Sequence, residues 1–172
     1  YLTHLGEINI YHNQSWINLV GAPPHLILDV RKQTLGYVSQ FLRVIPRIST
    51  LDLVAEPLLS RGETEVNSIN RAKDILKKLA IPENLWNLPP ATFSGGEQQR
   101  VNIAITFVRD FPILLLDEPT ASLDTKNKQA VIDLIKNAKD NGTAIIGIFH
   151  DESVRDSVGT TIFNIEEAKK AA

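Results

Sequence analysis

Two adjacent carboxylates, Asp117 and Glu118, follow a run of four apolar residues at positions 113–116. A short, continuous apolar run is typical of a strand that is buried on both faces of a parallel sheet. In open α/β sheets, ligands bind beyond the carboxyl ends of such strands. One carboxylate there can hold Mg²⁺, and a second can orient or deprotonate a water molecule that attacks a phosphate. Taken alone, the pair is equally compatible with two surface acids at the end of a strand.

A glycine-containing turn precedes this strand and opens a predicted helix. Ser94 and Glu97 have the spacing of a capping box, with Gly95 and Gly96 between them. Two glycines before a helix N-terminus also allow backbone N–H groups to approach an anion, which the helix dipole attracts. A well-capped helix without a ligand is the alternative. The apolar residues of the predicted helix recur on one face: Val101, Ala104, Ile105 and Val108.

The composition fits a single globular domain. The chain has 172 residues, 43% of them apolar, and a net charge of −2. No basic cluster indicates nucleic acid or a membrane surface, and the absence of cysteine excludes disulfides and thiolate metal sites. No apolar stretch approaches the roughly 20 residues of a membrane span. We therefore expect a cytoplasmic protein that binds no nucleic acid, does not insert into a membrane, and contacts one only through a partner.

Predicted strands and helices alternate along the rest of the chain. A hairpin spans residues 6–20, and Pro23-Pro24 begins a helix. The other predicted elements are a strand at 36–40, a helix at 50–59 that Pro57 ends or kinks, helices at 64–80 and 125–140, a buried strand at 143–149, a short helix at 151–157 and a last strand at 160–165. His4, His12 and His25 lack metal-ligand spacing and are predicted to be surface or turn residues.

The segments SGGEQQR and ILLLDEPTASLD together resemble the signature and Walker B motifs of ATP-binding cassette (ABC) ATPases. The resemblance implies an α/β fold of the P-loop NTPase type, with a parallel core sheet and a helical subdomain. It also implies that ATP and Mg²⁺ bind at an interface with a second ABC subunit. By this resemblance Asp117 holds Mg²⁺ through water and Glu118 is the catalytic base. Ser94, Gly95 and Gly96 belong to the nucleotide site, and Ser94 and Gly96 face the γ-phosphate of ATP on the opposing subunit.

Three further positions acquire roles from the same resemblance. Gln40 is similar to the Q-loop residue and would contact Mg²⁺ and the attacking water. Asp124 ends the D-loop, which reaches across the dimer, and His150 matches the H-loop histidine that bonds the γ-phosphate. The implied core covers residues 1–40 and 93–172, and the implied helical subdomain, which docks to partners, covers residues 41–92.

The phosphate-binding motif G-x-x-x-x-G-K-[ST] does not occur in these residues, because none of the nine glycines is followed by lysine. The hairpin near Gly6 resembles the region that normally follows that motif. We therefore expect the chain, which starts at Tyr1 and lacks methionine, to be a fragment or a processed product without the Walker A strand and helix. We expect exposed apolar strand faces, very weak ATP binding and no hydrolysis by these 172 residues alone.

Residues 36–50, 91–104 and 144–152 resemble one branch of the family, the ATP-binding subunit of the phosphonate C–P lyase system. That resemblance implies a role in alkylphosphonate metabolism and partners among the other lyase subunits. Two alternatives stay open. The chain could belong to the ATPase of an ABC importer that drives a membrane permease, or it could be a truncated, non-catalytic interaction module.

Overall fold

A computed structural model describes residues 6–40 and 47–165 of the protein. Strands and helices alternate along this part of the chain, as expected for an α/β fold. The strands are β1 (Asn9–His12), β2 (Ser15–Asn18), β3 (Leu35–Val38), β4 (Ile113–Asp117) and β5 (Ala144–Ile148). The helices are α1 (Pro24–Gln33), α2 (Thr50–Leu59), α3 (Glu65–Lys78), α4 (Gly95–Phe107), α5 (Thr125–Asp140) and α6 (Glu152–Val158), with short 3₁₀ turns at Glu83–Leu85 and Pro90–Thr92.

Three parallel strands form the sheet that positions the candidate site. Their order is β3-β4-β5, with Val38 beside Leu116 and Asp117 beside Ile148. Gly36 on β3 is needed for close packing, because a Cβ there would lie 2.5 Å from the side chain of Leu114. Because the strands are parallel, their carboxyl ends meet at one edge of the sheet. This arrangement confirms the predicted α/β class with a parallel sheet.

Helices α2, α3 and α4 pack together on a common apolar core with β3 and β4. Val54, Leu58, Leu76 and Val101 are completely buried there. Apolar residues at helical spacing therefore account for α3 and for much of α2. Pro57 does not end α2, because the helix continues to Leu59 and the proline lies in its last turn. Whether residues 41–92 form a separate subdomain stays a prediction, and residues 41–46 lie outside the described part.

The prediction that His12 is a surface residue is wrong. His12 ends β1 with only 3% of its surface exposed. Its Nδ1 lies 2.7 Å from the Thr34 hydroxyl, and its Nε2 lies 2.9 Å from an Asp29 carboxylate oxygen. The hairpin folds back on α1, which buries a residue that its local sequence places in a turn. His25 is exposed, as predicted, and His4 lies outside the described residues.

Two strand predictions in the C-terminal half need correction. Residues 160–164 form no strand, and Ile162 and Phe163 are exposed. Strand β5 forms as predicted but is not buried, since Ile146 is 68% exposed and Ile148 is 60% exposed. The apolar run predicted a strand covered on both faces, whereas β5 is the edge strand of the sheet in the described part of the chain. Within residues 6–40 and 47–165, no helix has the length and hydrophobicity needed to span a membrane.

Candidate active site

Glu118 lies at the centre of the site, between residues that follow the other two strands. Its Oε1 is 2.7 Å from Nε2 of His150, which lies two residues beyond β5. Its Oε2 accepts a hydrogen bond of 3.3 Å from Nε2 of Gln40, which lies two residues beyond β3. The Glu118 side chain is 16% exposed, whereas that of His150 is 82% exposed. The structure thus brings Gln40, Glu118 and His150 together, although the three are far apart in the sequence.

The backbone of Glu118 is in the left-handed region, with φ of 48°. This conformation costs a residue with a side chain about 1–2 kcal/mol. A hydrogen bond of 3.0 Å from the Glu118 N–H to the Ile148 carbonyl holds the backbone against β5. Strained conformations of this kind concentrate at functional sites, where the surrounding structure maintains them. Here the strain turns the carboxylate toward the ends of the neighbouring strands.

Asp117 directly precedes Glu118 and ends β4. One of its oxygens accepts a hydrogen bond of 3.1 Å from the Tyr37 hydroxyl on β3. The carboxylate of Asp117 and the amide oxygen of Gln40 are the oxygen ligands that Mg²⁺ prefers, and Mg²⁺ commonly takes only one or two protein ligands and keeps several waters. The donor set therefore fits Mg²⁺. Among the described residues there is no cluster of three His, Cys, Asp or Glu side chains that could hold a metal.

Helix α4 holds the end of β3 through three buried polar side chains. Asn102 donates to the Ser39 carbonyl at 2.7 Å, and Gln99 donates to the carbonyls of Ser39 and Pro119 at 3.4 Å each. The hydroxyl of Thr106 donates to the Tyr37 carbonyl at 3.2 Å. Helix α4 is therefore buried well beyond the one apolar face predicted for it. These contacts fix the backbone just before Gln40. In the sequence, Gln99, Asn102 and Thr106 are only polar residues within an amphipathic helix, and nothing there indicates their partners.

The predicted capping box at the start of α4 is confirmed. The Ser94 hydroxyl accepts a hydrogen bond of 3.4 Å from the Glu97 N–H, and the Glu97 carboxylate accepts one of 2.9 Å from the Ser94 N–H. The Ser94 hydroxyl also donates to this carboxylate at 2.6 Å. Hydrogen bonds from the hydroxyl and the N–H of Ser94 lower the pKa of Glu97. Gly95 within this turn is exposed.

Gly96 brings this turn against the segment at residues 121–124. A Cβ at Gly96 would lie 2.9 Å from the backbone carbonyl oxygen of Ser122, whereas a Cβ at Gly95 would meet nothing within 4 Å. Only glycine allows this approach without movement of the Ser122 backbone. The contact joins the two segments that the sequence identified as signature turn and D-loop.

We expect Gly96→Ala and Gly95→Ala to have opposite effects on stability. Both positions are helical, so alanine at position 95 reduces the entropy of the unfolded chain and stabilises the protein by about 0.4–1 kcal/mol. Alanine at position 96 brings the same entropic stabilisation, but its Cβ clashes with the Ser122 backbone. The shift that removes this clash costs about 1–3 kcal/mol and outweighs the stabilisation. Urea unfolding of the two variants measures the difference. Equal effects of the two substitutions would show that Gly96 does not pack against Ser122.

Arg100 connects the C-terminus of α3, the first turn of α4 and the first turn of α5. Its Nη1 donates to the Asn127 side-chain oxygen at 2.9 Å and to the carbonyls of Leu79 and Ala80 at 3.2 and 3.0 Å. Asn127 in turn donates to Asp124, which caps α5 and accepts from the Asn127 N–H at 2.9 Å. That backbone hydrogen bond lowers the pKa of Asp124. Arg100 is thus linked to Asp124 through Asn127, a link that the sequence did not reveal.

A cavity of about 490 Å³ opens beside Glu118 and is lined by Glu118, Thr120, Ala121, Lys128, His150 and Asp151. Lys128 Nζ lies 2.7 Å from the Asp151 carboxylate, which also accepts from the Ser153 hydroxyl and caps α6. The hydrogen bond from Lys128 holds the pKa of Asp151 well below its usual range. Lys128 was not predicted as a site residue.

Stability should fall steeply at acid pH, because four carboxylates have lowered pKa values in the folded state: Asp29, Glu97, Asp124 and Asp151. A lowered folded pKa means that the unfolded chain binds more protons near its own pKa of about 4, so stability rises with pH there. We expect urea midpoints to be constant above about pH 5 and to fall below about pH 4. Asp124→Asn keeps a helix cap without the charge of Asp124, so its urea midpoint should fall less steeply at acid pH. A slope equal to that of the wild type would contradict the lowered pKa of Asp124.

Comparison with known proteins agrees with this geometry. Residues 6–121 match the ABC transporter family. The chain belongs to the ABC transporter ATPase family. It is 33% identical to the arginine transport ATP-binding protein ArtP of Haemophilus influenzae, over 95% of this chain and 67% of that protein. It is 37% identical to the uncharacterized ABC transporter ATP-binding protein YbbA of Escherichia coli K12, over 78% of this chain and 61% of that protein.

Further similar proteins belong to other transport systems or have solved structures. The lipoprotein-releasing system ATP-binding protein LolD of Shewanella denitrificans is 36% identical over 73% of this chain and 54% of its own length. A dimeric, post-hydrolysis structure of the ATP-binding cassette MJ0796 with ADP and Pi superimposes with a TM-score of 0.77 at 28% identity, over 87% of this chain and 66% of that one. The ABC ATPase fold is thus confirmed. The chain spans from about half to two thirds of the length of these relatives.

Proposed function

We propose that this chain is the larger part of an ATP-hydrolysing subunit of an ABC transporter, acting as a pair with a second ABC subunit. The observation that carries the proposal is the placement of Glu118 between Gln40 and His150, beyond the ends of parallel strands. A glutamate held in this way can take a proton from a water molecule that attacks the γ-phosphate of ATP. Family membership and the dimeric structure with ADP and Pi support it.

The residues of the strand ends have separate roles in this proposal. Asp117 and Gln40 would hold Mg²⁺, which neutralises charge on the phosphates of bound ATP. Gln40 also orients one oxygen of Glu118, and His150 orients the other. Because His150 is largely exposed, its imidazole can also reach a phosphate that enters from the solvent side. Glu118 is thereby aligned before the water arrives.

The signature turn and the D-loop serve the opposing subunit in this proposal. The N–H groups of Gly95 and Gly96 lie at the start of α4, where the helix dipole favours an anion. Ser94 is held by its capping box and presents a hydroxyl beside them. Asp124 ends the segment that packs on Gly96, so the signature turn and the D-loop lie against each other. A pair of subunits would place each turn over the nucleotide of its partner.

Transport is the favoured setting, because the similar proteins named above act in arginine transport and lipoprotein release. The two ATPase subunits would then bind a membrane permease. Membership of the C–P lyase system stays a prediction that rests on the resemblance of residues 36–50, 91–104 and 144–152. A non-catalytic interaction module is the third possibility, and measured ATP hydrolysis would exclude it.

The test uses the protein at its full natural length, purified with whatever copurifies. We expect MgATP hydrolysis that rises more than linearly with protein concentration, since two subunits form each site, and that stops when EDTA removes Mg²⁺. A membrane permease among the copurifying proteins supports the transport setting. C–P lyase subunits among them would support membership of the C–P lyase system instead. Folded protein without Mg²⁺-dependent hydrolysis contradicts the enzymatic proposal.

The 172 residues alone should bind ATP very weakly, because they contain no G-x-x-x-x-G-K-[ST] segment to hold the phosphates. Equilibrium dialysis of MgATP against the isolated chain measures this. A form of the protein that includes such a segment is the matched control and should bind ATP at micromolar concentration. Micromolar binding by the isolated chain would overturn the prediction.

A further inference from the structure

Lys128 and Asp151 form a partly buried ion pair that links α5 to the segment carrying His150. Lys128 Nζ is 2.7 Å from the Asp151 carboxylate. Lys128 lies one helical turn after Asp124, and its N–H bonds the Asp124 carbonyl at 2.8 Å. Asp151 directly follows His150 in the chain. The ion pair therefore lies between Asp124, which ends the D-loop segment, and His150, which contacts Glu118.

Asp151 is held through both of its carboxylate oxygens. One accepts from Lys128, and the other accepts from the Ser153 hydroxyl at 2.6 Å and from the Ser153 N–H at 3.1 Å. These contacts fix the backbone at the junction of β5 and α6. The His150 side chain is 82% exposed, so surrounding atoms restrain it little. Asp151 thus fixes the backbone directly after His150, whose imidazole lies 2.7 Å from the Glu118 carboxylate.

We propose that Lys128 is a positioning residue, whose ion pair with Asp151 holds His150 in contact with Glu118 and couples it to the D-loop segment. This inference rests on the proposed ATPase function. All four residues line the same cavity of about 490 Å³, so a displacement of the pair changes the shape of the space beside Glu118. A displacement of about 1 Å in such a constellation can slow a reaction by up to about a hundredfold.

Lys139 provides a matched control on the same helix. Its Nζ donates to the Val158 carbonyl at 2.5 Å, so it also bridges α5 and α6. Lys139 does not line the cavity beside Glu118. Lys128→Met and Lys139→Met each remove one lysine bridge from α5 to the α6 segment, an ion pair in the first case and a hydrogen bond to a carbonyl in the second, and only the first lies beside His150. A merely structural role of Lys128 predicts that the two variants behave alike.

The kinetic test compares Lys128→Met, Lys128→Arg and Lys139→Met in the full-length protein. We expect Lys128→Met to lower kcat about tenfold with little change in KM for ATP, because positioning and not binding is lost. Lys128→Arg should recover most of kcat, since arginine can still pair with Asp151. Lys139→Met should keep the wild-type kcat even if it lowers the melting temperature as much as Lys128→Met does. An equal loss of kcat in both methionine variants would overturn the proposal.

A double-mutant cycle tests whether Lys128 acts through His150. In the His150→Ala background, Lys128→Met should cause no further loss of kcat, because the residue it positions is gone. Independent, multiplicative losses would show that Lys128 acts elsewhere and would overturn the proposal.

A spectroscopic test separates this inference from the proposed function. The 172 residues contain four histidines, and the imidazole signal of His150 is assigned by its loss in His150→Gln. In ¹⁵N-histidine-labelled protein, Lys128→Met should increase the motion of this imidazole, whereas Lys139→Met should not. No change would overturn the positioning role even in an active ATPase. A change in a protein without ATPase activity would support the positioning role and refute the proposed function.

Discussion

Glu118→Gln should reduce ATP turnover by the full-length protein by about 10²- to 10⁴-fold, the range for loss of a general base. Glutamine has nearly the same shape, so the contacts with Gln40 and His150 are largely retained. It cannot accept a proton from water. Nucleotide affinity should therefore stay close to that of the wild type.

The measurement is steady-state phosphate release together with ATP affinity. Glu83→Gln, at an exposed 3₁₀ turn remote from the strand ends, is the matched control and should hydrolyse ATP at the wild-type rate. If Glu118→Gln keeps wild-type turnover, Glu118 is not the base, and the role drawn from its position between Gln40 and His150 is wrong.

Arg100→Met should produce the largest loss of stability of the substitutions considered, about 2–3 kcal/mol in urea unfolding. The variant leaves the carbonyls of Leu79 and Ala80 and the side-chain oxygen of Asn127 without their charged donor. The acceptors at Leu79 and Asn127 are partly buried and carry the cost of lost hydration, whereas the exposed Ala80 carbonyl can bond water instead. Methionine preserves much of the packing of the arginine stem, so the loss reports mainly on the hydrogen bonds.

Two comparisons make the Arg100 result specific. Arg31→Met, on the exposed side of α1, should change stability by less than about 0.5 kcal/mol. In Arg100→Met, the backbone amide of Asn127 should also exchange hydrogen faster than the other amides of α5, because Asn127 caps this helix with Asp124. A loss of stability without faster exchange at Asn127 would place the role of Arg100 at α3 and not at the D-loop.

The sequence was sufficient to predict the fold class and the order of the elements as far as α6, whereas the last predicted strand does not form. Apolar spacing located α3 and α5, and the apolar run before Asp117 located β4. The capping box at Ser94 was also predictable, because it depends on residues three positions apart. These features are local, so a single stretch of chain contains the information. The resemblance to ABC ATPases then indicated which strand ends carry the chemistry.

Features that depend on distant parts of the chain were predicted poorly or not at all. His12 is buried because α1 supplies Asp29, and a turn sequence contains no sign of that helix. The apolar residues of β5 predicted burial, but burial depends on what covers the strand. Arg100 and Lys128 have ordinary surface character, and only the folded chain brings their acceptors to them.

The exposed edge of β5 has a consequence for the reaction itself. Within the described residues, β5 is hydrogen-bonded on one side only, by β4, and His150 follows two residues after it. A strand that docks along the other side, from this molecule or from another, fixes the tilt at which β5 delivers the imidazole. Any strand paired along that side would therefore bear on the 2.7 Å contact between the His150 imidazole and the carboxylate of Glu118.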